Sequence, residues 1–139
     1  MKDFKPILLV EDDTVDAKTI KRAFEDLKVR NKIIHVTNGE EALEYLQNSH
    51  NKKPRVILLD LNMPKMNGIE FLQAVKPDAT LKQIPVVVLT TSSEEEDIVK
   101  SFNLGVAGYI TKPGTYAGFV EKLKTVEIYW SFSELPNLK

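Results

Sequence analysis

Apolar residues fall along this chain in two rhythms. Ile7-Leu8-Leu9-Val10, Val56-Ile57-Leu58-Leu59 and Val86-Val87-Val88-Leu89 are unbroken runs, rich in β-branched side chains and bounded by Pro, Asp or Thr. Runs of that kind predict short strands buried on both faces. Ile33 to Val36 and Ala107 to Thr111 are weaker candidates of the same type. Between the runs, apolar residues recur at steps of three and four: Ile20, Ala23, Phe24 and Leu27; Ala42, Leu43 and Leu46; Ile69, Leu72 and Val75; Ile98 with Phe102. Phe119, Leu123, Val126 and Trp130 form the last and longest stripe. These spacings predict five helices, each with one apolar face. Strand then helix, five times over, predicts an α/β fold in which a parallel sheet is covered by helices on both sides.

The polar residues sharpen the picture. Open parallel sheets bind ligands beyond the carboxyl ends of their strands. Glu11-Asp12-Asp13 follow the first run directly, Asp60 ends the third, Thr90 the fourth, and Thr111-Lys112 the fifth. Polar chemistry therefore gathers at one rim while the strand bodies stay apolar, and the Asp60 carboxylate is expected at that rim rather than inside the sheet.

Composition narrows the options. The 139 residues suit one domain with a single sizeable core, and no repeat, linker or low-complexity tract divides them. An apolar share of 42% against 28% charged excludes disordered and fibrous classes. A net charge of -1 gives no electrostatic case for nucleic acid or an anionic membrane as partner. With no cysteine, disulfides and thiolate metal sites are out. The four-residue apolar run near the start is too short for a signal-peptide core, and no stretch approaches a membrane span, so a cytoplasmic protein is expected.

Carboxylates at adjacent strand ends make a hard-oxygen site that suits Mg2+, whereas no loop carries the ligand density of an EF-hand. Lys112 supplies a point positive charge and Thr90 a hydroxyl. A metal, a lysine and a hydroxyl converging on one Asp form a phosphoryl-transfer arrangement in which the carboxylate attacks.

The segments "ILLVEDD", "LLDLNMPKMNG", "VVVLTTS" and "YITKP" resemble, in order and spacing, the signatures of the response-regulator receiver domain of two-component signalling. Thirty residues separate Asp60 from Thr90 and twenty-two separate Thr90 from Lys112, as in that family. The match covers about residues 5–127, leaving 128–139 as a helical extension and tail of one receiver domain. The resemblance implies a flavodoxin-like (CheY-like) doubly wound sheet of five strands in the order 2-1-3-4-5, with five helices. It implies Asp60 as phosphoacceptor from a sensor histidine kinase. It also implies Mg2+ held by Glu11, Asp12, Asp60 and the backbone carbonyl of Asn62, with Lys112 and Thr90 contacting the phosphoryl group. Thr90 and Tyr109 would form the switch, and Pro113 would follow a cis peptide bond. A protein of this kind is a phosphorelay switch that catalyses only its own phosphorylation and dephosphorylation, not a metabolic enzyme. The tail, "IPVVVLTTS" and the aromatic last helix are similar to stand-alone receivers paired with phytochrome-type kinases. Such a receiver signals through a downstream protein or a phosphotransfer protein.

Two other readings stand beside this one. A haloacid-dehalogenase-type phosphatase also places its nucleophilic Asp at a strand end, but needs a second Asp where this chain has Asn62. A receiver fold used only as a binding module would not need the full set of Glu11, Asp12, Asp60, Thr90 and Lys112.

Local chemistry gives some residues plainer roles. Asp13 is expected to cap the helix beginning near Thr14. Ser92-Ser93 before Glu94-Glu95-Glu96-Asp97 predicts a capping box with acids set against the helix dipole. His35 and His50 carry no catalytic signal. Thr91 stands beside Thr90 where the family usually has a small residue, and its branched side chain is expected to slow attack by water. The far end of the last helix turns apolar through Ile128, Tyr129 and Phe132. Either the helix stops near Ile128 and the tail folds back, or this end is a homodimer or partner surface.

Overall fold

In the computed structural model, residues 5–132 are described, with only the helical backbone for 127–132. The strands are β1 (Ile7–Val10), β2 (Ile33–Val36), β3 (Val56–Leu59), β4 (Val86–Thr90) and β5 (Gly108–Thr111). The helices are α1 (Thr14–Asp26), α2 (Gly39–Gln47), α3 (Gly68–Val75), α4 (Glu95–Asn103) and α5 (Tyr116–Phe132), with a short 3-10 turn at Leu81–Gln83. All pairings are parallel and the strand order is β2-β1-β3-β4-β5. This is the flavodoxin-like, doubly wound sheet expected from the sequence.

Alternation along each strand divides the interior in two. Leu8, Val10, Ile57, Leu59 and Val88 pack with residues of α2 and α3, such as Leu46 and Phe71. Ile7, Leu9, Leu58, Val87 and Leu89 pack with Ile20 and Phe24 of α1 and with Phe119 and Leu123 of α5. The inner strands β1, β3 and β4 are buried throughout, and the edge strands β2 and β5 are half-buried, which is why their apolar runs are weaker. Each fully buried Leu, Ile or Phe in these layers contributes about 1.5–3 kcal/mol from burial.

Helix ends follow local chemistry, with one exception. Asp13 caps α1, accepting from the N–H groups of Val15 and Asp16 at 2.9 and 3.1 Å. Asn67 and Glu70 form a full capping box on α3. The box predicted for α4 does not form: Glu94 is the N-cap residue and makes no side-chain cap bond. Ser92 lies two residues before that N-cap, where its hydroxyl donates to Asp97 at 2.6 Å and its Oγ is 3.4 Å from the Glu94 N–H. Glu95, Glu96 and Asp97 do stand in the first turn, against the positive end of the helix dipole. The α4 stripe is also displaced: Phe102 is 51% exposed, and the helix buries Ser101. Gly105, at φ 88°, turns the chain out of α4 in a conformation that side chains with a Cβ rarely adopt.

Two expectations concern the last helix. It continues to Phe132 and does not stop near Ile128. The side chains of Ile128, Tyr129, Trp130 and Phe132, which carry the homodimer reading, lie outside the described residues, as does the tail.

Candidate functional site

The backbone hangs the polar residues from the end of the sheet. The Glu11 N–H donates to Val36, the Asp60 N–H to Val10 and the Lys112 N–H to Thr90, each to the backbone carbonyl, at 3.0, 3.0 and 2.7 Å. Each residue therefore extends the ladder by one rung, and neighbouring strands bring residues distant in sequence to one place. Carboxylate oxygens of Glu11, Asp12 and Asp60 all lie within 4.8 Å of one another. Asp12 is exposed, whereas Glu11 and Asp60 are 1% and 6% exposed.

The rim position expected for Asp60 is right, but the carboxylate is buried there. The loop after β3 folds back over it: the Gly68 N–H donates to the carbonyl of Leu61 at 3.0 Å. A Cβ on Gly68 would stand 2.6 Å from the Asp60 carbonyl oxygen, so only glycine lets this loop approach so closely. The Asn62 N–H reaches back to Asp60 Oδ1 at 3.3 Å, and the Asn62 side chain is exposed.

Lys112 crosses the cup from the end of β5. Its Nζ donates to Glu11 Oε1 at 2.6 Å and to Asp16 Oδ2 at 2.8 Å, and stands 4.0 Å from Asp60 Oδ2. Burial pushes the Glu11 carboxyl up to about 7; the Lys112 hydrogen bond opposes this, and the Asp60 charge adds to it. Burial acts to lower Lys112, but hydrogen bonds to Asp16 and Glu11 outweigh it and carry the ammonium above its usual value. Three clustered carboxylates and Asp16 against one ammonium leave an excess of negative charge among hard oxygen donors. That donor set fits a divalent cation.

Thr90, fully buried, ends β4 beside β3, where Leu59 is the partner of Val88. Its Oγ1 is 3.4 Å from the Ser92 N–H, and the Tyr109 hydroxyl donates to the Ser92 carbonyl at 2.9 Å. Thr90 and Tyr109 thus both bond to Ser92, in the loop leading to α4. Burial pushes the Tyr109 hydroxyl upward.

Pro113 departs from expectation. The Lys112–Pro113 bond is trans, as is every peptide bond among the described residues. The trans form is the lower in energy for an X-Pro bond.

Two residues have roles that their local sequence does not reveal. His35 Nε2 lies 2.7 Å from the Glu11 carbonyl, an acceptor, so that nitrogen carries the proton and steadies the backbone of Glu11. Asp16 pairs with a lysine 96 residues away. Beside this pair a cleft of about 290 Å³ opens between α1 and the β5–α5 loop, where the Arg22 guanidinium lies 4.4 Å over the Tyr116 ring.

Comparison with known proteins agrees with this geometry. Residues 7–124 match the family model of the response regulator receiver domain. The chain belongs to that family. It is 36% identical over 130 residues to response regulator Rcp1 of Synechocystis sp., covering 91% of this chain and 88% of the relative. The phosphorylated cyanobacterial phytochrome response regulator RcpA superposes with a TM-score of 0.90 at 41% identity, covering 97% of this chain and all of that one. The Mn2+-bound form of Rcp1 superposes at 0.87 with 36% identity, covering 96% and 99% of the two chains. As a receiver domain, the chain is a phosphoacceptor of two-component signalling that works with histidine kinases and downstream partners, and its acidic cluster fits a divalent metal. No helix among the described residues is long and apolar enough to cross a membrane.

Proposed function

We propose that Asp60 is the residue phosphorylated, in a single receiver unit with its core at about residues 5–127. The observation that carries this is the cup itself: carboxylate oxygens of Glu11, Asp12 and Asp60 within 4.8 Å of one another, with Lys112 above them. Glu11, Asp12, Asp60 and the backbone carbonyl of Asn62 would hold Mg2+. When bound, the ion supplies positive charge for the phosphoryl oxygens and offsets the crowding of acids. The chain's own residues do the rest. An Asp60 Oδ attacks the phosphorus of a phosphohistidine, a P–O bond forms, and the P–N bond breaks with its electron pair left on the ring nitrogen. Lys112 takes up phosphoryl charge and Thr90 donates its hydroxyl to a phosphoryl oxygen. Burial of Glu11 and Asp60 keeps bulk water from the acyl phosphate.

Thr90 and Tyr109 report the event through the Ser92 loop to α4, shifting a two-state equilibrium. Output passes by protein contact or by relay to a phosphotransfer protein. Likeness to the phytochrome response regulator RcpA supports a phytochrome-type kinase as donor. The reading places the protein in the cytoplasm, as a homodimer through the last helix. Incubation with Mg2+ and acetyl phosphate should add one phosphoryl mass, on Asp60, and Asp60→Asn should accept none. Full labelling of that variant would refute the assignment. A strictly monomeric mass at high micromolar protein, with or without phosphorylation, would refute the dimer.

A further inference from the structure

Asp16 occupies the third helical position of α1, behind the N-cap Asp13. An acid at this position ordinarily reaches back to the N-cap N–H, and Glu70 of α3 does so in this molecule, accepting from Asn67 at 3.0 Å. Asp16 departs from that default. Its own N–H donates to Asp13, but the Asp13 N–H is taken by Glu11 Oε2 at 3.3 Å, and the Asp16 carboxylate turns to Lys112. The lysine is held from two sides, by Glu11 at 2.6 Å and Asp16 at 2.8 Å, and kept at 4.0 Å from Asp60. A charge-assisted bond would bring an ammonium to about 2.7–2.9 Å, so Lys112 stops short of pairing with Asp60.

We propose that Asp16 is a positioning residue for Lys112: it anchors the ammonium at a stand-off from Asp60 and so reserves the gap that a phosphoryl oxygen fills. The inference rests on the assignment of Asp60 above. Glu11 cannot serve this purpose alone, because the same carboxylate belongs to the acidic cup and is drawn toward any cation there. Asp16 lies outside the cup, on the α1 side. An ammonium has three N–H donors, so Lys112 can keep its bond to Asp16 while it takes up a phosphoryl oxygen. Without Asp16, the lysine relaxes onto Asp60, masks the nucleophile and competes with the cation.

The test uses the full chain with two readouts. In metal-free protein, the 15N and 1H resonances of the Lys112 ammonium are compared in wild type, Asp16→Asn, Asp60→Asn and the double variant. Asp60→Asn should shift them strongly only when Asp16→Asn is already present. Separately, the phosphorylation rate with acetyl phosphate and Mg2+ should fall about tenfold in Asp16→Asn, recover in Asp16→Glu, and show no further loss when Asp16→Asn is added to Lys112→Ala. An Asp60→Asn shift that is equally large with Asp16 intact would overturn the proposal. So would an undiminished rate in Asp16→Asn, or the same tenfold loss without Lys112. Labelling of Asp60→Asn would overturn the acceptor assignment itself, a result read from mass and independent of Asp16.

Discussion

Asp60→Asn takes one negative charge from the cup while keeping the shape of the side chain, and it should stabilise the metal-free protein. Carboxylate oxygens of Asp60, Glu11 and Asp12 lie within 4.8 Å of one another, and Lys112 lies 4.0 Å from Asp60. At an effective dielectric of about 20, each carboxylate repulsion costs about 3.5 kcal/mol and the lysine attraction returns about 4 kcal/mol. Removing two repulsions and one attraction leaves a gain of about 3 kcal/mol, which solvent screening of the exposed Asp12 cuts to about 1–2 kcal/mol. Urea unfolding in chelator at pH 8 should therefore show a midpoint about 0.5–1 M higher for the variant.

The pH dependence fixes the sign independently. The Glu11 pKa is about 7 in the fold against 4.5 for the free side chain, so the folded state binds the proton more tightly than the unfolded state between those values. Metal-free wild type must lose stability as pH rises from about 4.5 through 7. Asp60→Asn removes one cause of the raised value, so its profile should be flatter and its advantage larger at pH 8 than at pH 5.5. Millimolar Mg2+ should narrow the gap at pH 8. A variant no more stable than wild type in chelator at pH 8, or an advantage that grows on acidification, would refute the reasoning.

Gly68→Ala sets a methyl against the Asp60 carbonyl and Leu61 Cα, backbone atoms with nowhere to go; a loss of about 1–3 kcal/mol is expected in urea unfolding, with slowed phosphorylation. Ser101 Oγ is buried with no hydrogen-bond partner, so Ser101→Ala should be stabilising by about 1 kcal/mol, read from the unfolding midpoint. Tyr109→Phe removes the bond to the Ser92 carbonyl at a cost of about 0.5–1.5 kcal/mol, and hydrogen exchange should rise first in the loop leading to α4. Thr91 is exposed beside Thr90; Thr91→Ala should shorten the aspartyl-phosphate half-life, measured by loss of the phosphoryl mass in chelator.

The inner strands could be read from sequence because burial on both faces leaves no polar position to confuse the pattern. The rim acids and Lys112 could be read because each directly follows a strand, so topology alone gathers them. What escaped reading depends on partners distant in the chain or on local competition. Asp16 looks like an ordinary first-turn acid, and only the folded sheet shows that Lys112 claims it. Ser92 looks like half of a capping box, but the N-cap of α4 falls two residues later, on Glu94. The α4 stripe misleads because Ile98 and Phe102 have helical spacing, while the helix is set down on Ser101 instead. At Pro113, proline chemistry permits both isomers, so the residue type alone does not fix which one forms.

The division of the interior into two apolar layers extends to the residues beyond the strands. By alternation, Glu11, Asp60 and Lys112 fall on the side of Leu9, Leu58 and Ile110, while Thr90 and Tyr109 fall on the side of Val88. The sheet is a bulkhead between a reactive compartment and a mechanical one. The two meet at the rim, where the acidic cup draws Asp12 from the second side and the Thr90 hydroxyl, on the proposed reading, reaches the phosphoryl group past the end of β4. On the reading proposed above, changes on the wall behind Tyr109 can alter the loop leading to α4 while Glu11, Asp60 and Lys112 on the other side keep their arrangement.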